Sequence, residues 1–278
     1  MRLFLFLAIS CIGLAARAEP VELALANHLV AKAEYRKGAR DKPAVILLHG
    51  LLQTHEFPTI HRLVEGIADS GHTALAPTLT LGVTHRKQSM ACEAIHSHTM
   101  QEVVREIDAW VKWLKARHHG PIVVLGHSYG SVQMLAYLSG KPDPAVVGFI
   151  GVSIVEGQLN LNAAATAELI GGLRKAVAAG DRRVVTRQFS FCKKYQATTA
   201  SLLSDLEWTS QRLLQTSARL PLPSLFIMGG NDDRLGVGWV DKLKARNRVV
   251  IIPGANHFMD GQHEFDLLDA VLEALKAS

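Results

Sequence analysis

Apolar residues fall along this chain in short dense runs separated by longer stretches with helical spacing, and the alternation recurs through most of its length. "KPAVILLHG" (42–50) sets Ala44 to Leu48 between Pro43 and His49, which predicts a central strand covered on both faces. Ile60, Leu63, Val64 and Ile67 then share one helical face over 59–70, stopping before Gly71. "HTALAP" (72–77) predicts the next strand. Thr99 and Glu102 form a capping-box pattern ahead of a buried stripe of Val103, Val104, Ile107, Trp110, Val111 and Leu114, in a helix ending near Gly120-Pro121. "PIVVLG" (121–126) predicts a strand, Tyr129–Leu138 a helix, and "AVVGFIGVSIV" (145–155) a strand. "LPSLFIMGG" (222–230) and "RVVIIPG" (248–254) supply two more strands before a C-terminal helix through Phe265, Leu268, Val271 and Leu275. "NHLVAKAEYRKG" (27–38) alternates weakly and reads as an edge hairpin strand.

Strands alternating with helices imply right-handed crossovers, so the expected fold is α/β, with a mostly parallel central sheet and helices on both faces. Residues 157–219 break the rhythm: polar, Ala-rich and helical in pattern, they predict a helical cap insertion without a strand of its own. A chain of 278 residues with 48% hydrophobic content can bury one large core around this sheet. In such sheets ligands collect beyond the carboxyl ends of the strands.

Directly after the strand at 121–126 stands Gly126-His127-Ser128-Tyr129-Gly130, a G-x-S-x-G pattern. A strand turning at once into a helix holds the intervening residue in a strained conformation, and small neighbours let the backbones pass. Ser128 is therefore the candidate nucleophile. A serine hydroxyl needs a base, and the base an orienting acid. His257 follows the last strand and is the candidate base. "IMGGNDDRLG" follows the preceding strand and offers Asp232 and Asp233; adjacent residues point in different directions, and Asp232 is preferred. Oxyanion donors are expected from the backbone N–H of Tyr129 and from the turn after "VILLHG", at Leu51 or alternatively Leu52. His49 reads first as a hydrogen-bonded support of that turn, with a direct contact to substrate as the second reading.

His49-Gly50, Gly126 to Gly130, Gly229 to Asp232 and Asn256-His257 occur in the order and structural places of the α/β-hydrolase fold superfamily, which the chain resembles over essentially its whole length after residue 18. The resemblance implies acyl transfer to Ser128, an acyl-enzyme and its hydrolysis by water activated through His257, without metal or cofactor. The implied reaction is cleavage of an ester in a small acyl substrate. Thioester, lactone or amide cleavage and acyl transfer to an alcohol use the same residues, and a non-catalytic binding protein retaining the fold is the rival from another class. Serine at the nucleophile position disfavours the epoxide hydrolases and haloalkane dehalogenases that share the fold. Two departures stand out. No Gly-Gly-Gly follows His49, and Thr78-Leu79-Thr80-Leu81-Gly82 stands where many relatives carry an aspartate and a Gly-x-Gly turn. The 157–219 insertion lies where the superfamily often carries a lid; its apolar residues, among them Leu159, Leu161, Ile170, Leu173, Phe189, Phe191, Leu206 and Trp208, either line an acyl pocket or pack the cap onto the core.

Met1–Ala18 has the layout of a cleavable secretory leader: Arg2, an apolar run of about 14 residues, and Ala16-Arg17-Ala18 before Glu19-Pro20. It implies cleavage after Ala18, a secreted or periplasmic protein of residues 19–278, and no stable membrane span once removed. Its loss lowers the formal charge from +5 by the two arginines Arg2 and Arg17, and no basic stripe suggests nucleic acid. Cys11 leaves with the leader. Cys92 and Cys192 then either pair, tying the cap to the loop at 82–100, or stand as separate buried thiols. That loop carries His85, Arg86, Lys87, His96 and His98. Arg86 is the candidate for binding an anionic substrate group, against a solvated loop with helix-end histidines. A metal site from these histidines lacks a convincing ligand set. Oligomeric state is not legible.

Overall fold

The computed structural model describes residues 17–156 and 161–276. The expected leader, Cys11 and Leu159 lie outside them, apart from Arg17 and Ala18.

Six strands run parallel in the main sheet: β3 (Ala44–Leu48), β4 (Ala74–Thr78), β6 (Ile122–His127), β7 (Val146–Val152), β10 (Ser224–Gly229) and β11 (Arg248–Ile252). Their spatial order is β4-β3-β6-β7-β10-β11, and an antiparallel hairpin of β1 (Ala18–Ala24) and β2 (Val30–Arg36) extends the β4 edge. The expected edge strand is thus β2, one place in from the edge, which β1 occupies. Every residue of β3 and β6 is buried, as continuous apolar runs covered on both faces must be.

Helices cover both faces. On one side α1 (Pro58–Asp69) and α8 (His263–Leu275) pack Ile60, Leu63, Ile67, Leu267 and Val271 onto Val45, Leu47 and Val123. Phe265, expected in that buried stripe, instead points to solvent. On the other side lie α2 (Met100–Lys115) and α3 (Tyr129–Leu138), with Trp110, Val111 and Leu135 in the core. The capping box at α2 forms as expected: Thr99 Oγ1 accepts the Glu102 N–H at 3.3 Å and Glu102 Oε2 accepts the Thr99 N–H at 2.7 Å. A short β5 (Ile95–His96) precedes α2, and α7 (Trp239–Lys244) joins β10 to β11.

The insertion differs from its expected all-helical form. Besides α4 (Ala163–Ala178), α5 (Thr199–Leu206) and α6 (Ser210–Ser217) it carries an antiparallel hairpin, β8 (Val184–Phe189) and β9 (Cys192–Thr198). β9 also pairs in parallel with β5 of the 82–100 loop, giving a small three-stranded sheet β5-β9-β8. Cys92 and Cys192 are disulfide-bonded across that junction. Ile170, Leu173, Phe189, Leu202, Leu206 and Trp208 are buried in the main core, so these residues pack the cap down; Leu161 and Phe191 stay exposed.

Candidate active site

The strand-to-helix turn between β6 and α3 requires a backbone conformation that side chains rarely adopt, and Ser128 holds it, at φ +55°. Neighbouring backbone pins it: the Ser128 N–H donates to Val152 O at 2.8 Å, and Ser131 Oγ donates to Gly126 O at 2.6 Å. The two glycines of the motif are there for room. A Cβ on Gly126 would meet backbone atoms of Gly130 and Ser131 at 2.5 Å, and one on Gly130 would meet His49 O at 2.4 Å. Any side chain at either place would push α3 off the sheet.

The loop after β11 delivers His257 to the same spot. Its Nε2 lies 2.9 Å from Ser128 Oγ and its Nδ1 lies 2.8 Å from Asp232 Oδ2. A carboxylate only accepts, so Nδ1 carries the proton and Nε2 is left to accept from the serine hydroxyl. The Asp232 side chain is fully buried and its Oδ1 accepts the Arg234 N–H at 3.1 Å, whereas Asp233 is exposed. The structure therefore brings Asp232 and not Asp233 to the imidazole. Beneath it, His127 Nε2–H donates to His257 O at 2.9 Å, and burial pushes the His127 pKa down to about 3. His127 is the unspecified position of the serine motif, so no sequence signal marked it.

On the opposite side the turn after β3 abuts the serine. A Cβ on Gly50 would come within 3.3 Å of Ser128 Cβ. Gln53 Oε1 accepts the Gly50 N–H at 3.1 Å, closing the turn, and Leu52 takes φ +60°. Among the described residues the N–H groups of Leu51 and Leu52 have no hydrogen-bond acceptor. Tyr129 opens α3, so its N–H has no preceding helical turn to bond. These are the unengaged backbone donors flanking Ser128.

The structure corrects the reading of Arg86 and, for His49, takes the first of its two readings. Arg86 is 5% exposed, in neither an anion-binding nor a solvated role. It donates to the carbonyls of Leu79 at 2.6 Å, Gln53 at 2.7 Å and Gln88 at 2.9 Å, and burial lowers its pKa to about 10. His49 is likewise buried: Nδ1–H donates to Gly50 O at 2.8 Å and Nε2 accepts the Leu79 N–H at 3.1 Å, so both ring nitrogens are taken up in supporting the turn. The Thr78-to-Gly82 departure has its own logic, since Leu79 caps His49 while Thr80 N and Oγ1 both donate to Glu106 of α2. His96 stacks on Tyr195 at 4.3 Å between centroids and Cys92 is bound in the disulfide. Among the described residues no three His, Cys, Asp or Glu side chains are grouped to hold a metal, and no helix is long and apolar enough to cross a membrane.

Residues 45–270 match the model of the "Alpha/beta hydrolase family". A stretch of 116 residues is 28% identical to a phospholipase of Bacillus subtilis, YtpA, covering 41% of this chain and 41% of that protein's length. Among solved structures, a thermostable carboxyl esterase from Bacillus coagulans in complex with glycerol superposes with a TM-score of 0.71 at 12% identity, over 94% of this chain and 98% of that one. Est1E from Butyrivibrio proteoclasticus, with ferulic acid bound, gives 0.65 at 17% identity, over 92% and 98%. A monoacylglycerol lipase from Paleococcus ferrophilus gives 0.64 at 17%, over 88% and 98%. At these identities the likeness to solved structures speaks for the fold.

Proposed function

The chain belongs to the alpha/beta hydrolase family, and from that premise we propose that it is a serine carboxylic ester hydrolase. The observation that carries the reading is the continuous hydrogen-bonded series from Ser128 Oγ through His257 to Asp232, set beside unengaged backbone donors. In this reading His257 Nε2 takes the serine proton as Ser128 Oγ attacks the ester carbonyl carbon, and Asp232 stabilises the imidazolium that forms. The N–H groups of Leu51 and Tyr129 take the oxyanion. Collapse of the tetrahedral intermediate expels the alcohol, which takes the proton from His257, and leaves an acyl group on Ser128. Water, deprotonated by His257, repeats the sequence and releases the acid.

Support for an ester comes from the structural relatives, a carboxyl esterase and a monoacylglycerol lipase, and the disulfide fits an oxidising compartment, consistent with a secreted or periplasmic location. The test is the intact mass of purified protein before and after a fluorophosphonate, on wild type and Ser128→Ala, followed by p-nitrophenyl esters of increasing acyl length. One adduct and ester turnover on wild type, with neither on the variant, is the expected result. A folded wild type that takes no adduct and turns over no ester overturns the proposal.

A further inference from the structure

Tyr129 offers the site its backbone N–H, but its side chain is engaged elsewhere. The phenol hydroxyl donates to Asp205 Oδ1 at 2.8 Å, across 76 residues of sequence, and Asp205 belongs to α5 of the cap. Both residues are 2% exposed. The preceding residue, Ser204, accepts the Met100 N–H at 3.0 Å. One turn of the cap helix α5 is therefore keyed to the first residues of two core helices, α2 and α3. From Tyr129 an aromatic column continues outward: its ring meets Phe189 edge-on at 5.9 Å, Phe189 stacks on Tyr195 at 4.8 Å, and Tyr195 stacks on His96 at 4.3 Å. The column runs from the serine turn through the cap hairpin to the 82–100 loop, where the disulfide closes it.

We propose that Asp205 is a positioning residue, which through the Tyr129 phenol fixes the backbone N–H beside Ser128 that receives the oxyanion, so that the docked cap is part of the active site and not a lid that lifts from it. The inference rests on the reading of Ser128 as an acyl-transferring nucleophile.

Two physical arguments support it. A carboxyl buried this completely, with one oxygen lacking a partner among the described residues, is costly to keep where only packing is required. An apolar side chain that fitted the site would pack the cap without that cost. Next, Ser128 sits in a sparsely populated backbone region, and such conformations persist only where the surroundings over-determine them. On the sheet side the Ser128 N–H donates to Val152 O at 2.8 Å, and the Ser128 carbonyl accepts the Ser131 N–H at 3.0 Å; the Tyr129–Asp205 bond holds the next residue on the cap side. An oxyanion donor displaced by a few tenths of an ångström weakens in the transition state while substrate binding is left alone.

The experiment compares wild type, Tyr129→Phe, Asp205→Leu, Asp205→Asn and the Tyr129→Phe/Asp205→Leu double variant, by ester kcat and KM, by fluorophosphonate labelling rate, and by thermal melting. Tyr129→Phe and Asp205→Leu should each lower kcat and labelling about tenfold with KM within about twofold. The double variant should fall no further than the weaker single. Asp205→Asn keeps an acceptor oxygen and should retain at least about half of kcat. Folded single variants with wild-type kcat, or losses that multiply in the double variant, overturn the proposal while wild-type labelling still upholds the reading of Ser128. If Asp205→Leu fails to fold, Tyr129→Phe against Asp205→Asn decides alone. A wild type that neither labels nor turns over ester removes both.

Discussion

The Arg86 guanidinium lies 3.2 Å from His49 Nε2, inside the protein and behind the turn that abuts Ser128. The imidazole nitrogen it faces is already the acceptor for Leu79 N–H, which fixes the neutral tautomer of His49; burial and the Arg86 charge hold the His49 pKa at about 3. One planar cation thus ties the loop at 49–53 to the segment at 79–88.

Arg86→Lys removes that planar fork and leaves several carbonyls without donors. It should cost about 3 kcal/mol of stability and at least about tenfold in kcat, by loosening the Leu51 donor. Neutral and anionic p-nitrophenyl esters should suffer alike. A rise in KM confined to anionic esters would restore Arg86 as a substrate-binding residue.

The buried ionisable groups set a pH optimum of stability. His49, His98 and His127 have folded pKa values of about 3, lowered chiefly by burial. Their contribution is present above about pH 6.5 and is lost as pH falls toward 3. Glu106 and Asp205, raised by burial to about 7, act oppositely: their contribution is present below about pH 4 and is lost as pH rises through 7. Between about pH 4.5 and 6.5 the two carboxyls oppose the histidines, to which His55, His96 and His118, also lowered by burial, add, so stability should fall with pH more gently than it does further down. Below about pH 4 the raised carboxyls no longer oppose the histidines and the slope should steepen, His49, His98 and His127 alone supplying roughly 4 kcal/mol per pH unit. Urea midpoints from pH 3 to 8 should therefore peak near pH 6.5 (about, from the ordinary histidine value). A midpoint that stays flat from pH 6.5 to 3.5 would show that these histidines are not held neutral.

The elements that could be read from the sequence are those whose own side chains carry the burial. β3 and β6 are apolar at nearly every position and buried at all of them, and the Thr99–Glu102 box is local to four residues. Ser128, Asp232 and His257 were legible because each follows a strand of a parallel sheet, where the topology alone brings them to one edge. The β8–β9 hairpin was hidden because β8 buries only Phe189 fully; ladder bonds to a neighbour and a disulfide 100 residues long hold what periodicity does not announce. Arg86 was misread because a cation's polarity suggests solvent, while its carbonyl partners come from Leu79, Gln53 and Gln88, which no local pattern connects to it. Asp205 carried no signal at all, since its partner is Tyr129.

The two aspartates after β10 make a sharp comparison. Asp232 Oδ2 meets His257 Nδ1 at 2.8 Å, and Asp233 faces solvent. Asp232→Asn places an amide against the imidazole, favours the wrong tautomer, and should lower kcat by roughly 10⁴-fold. Asp233→Asn should stay within about twofold, a surface change away from the reacting atoms. Equal losses in the two variants would mean that the acid is supplied from elsewhere.

The disulfide tests how firmly the cap is held. Cys92 and Cys192 join segments 100 residues apart, and the same junction carries the β5–β9 ladder. Closing a loop of that length restricts the unfolded chain, so the bond should contribute about 2–5 kcal/mol. Purified protein should show no free thiol under denaturing, non-reducing conditions. Cys92→Ser/Cys192→Ser should lower the urea midpoint accordingly. Because Ile170, Leu206 and Trp208 still bury the cap in the main core, the variant should keep the cap docked, with kcat reduced less than about threefold, and cleavage by a protease should move first to the β8–β9 hairpin. Two reactive thiols in the untreated protein would dissolve the crosslink. A variant of unchanged stability would place the whole burden of holding the hairpin on its packing and its ladder.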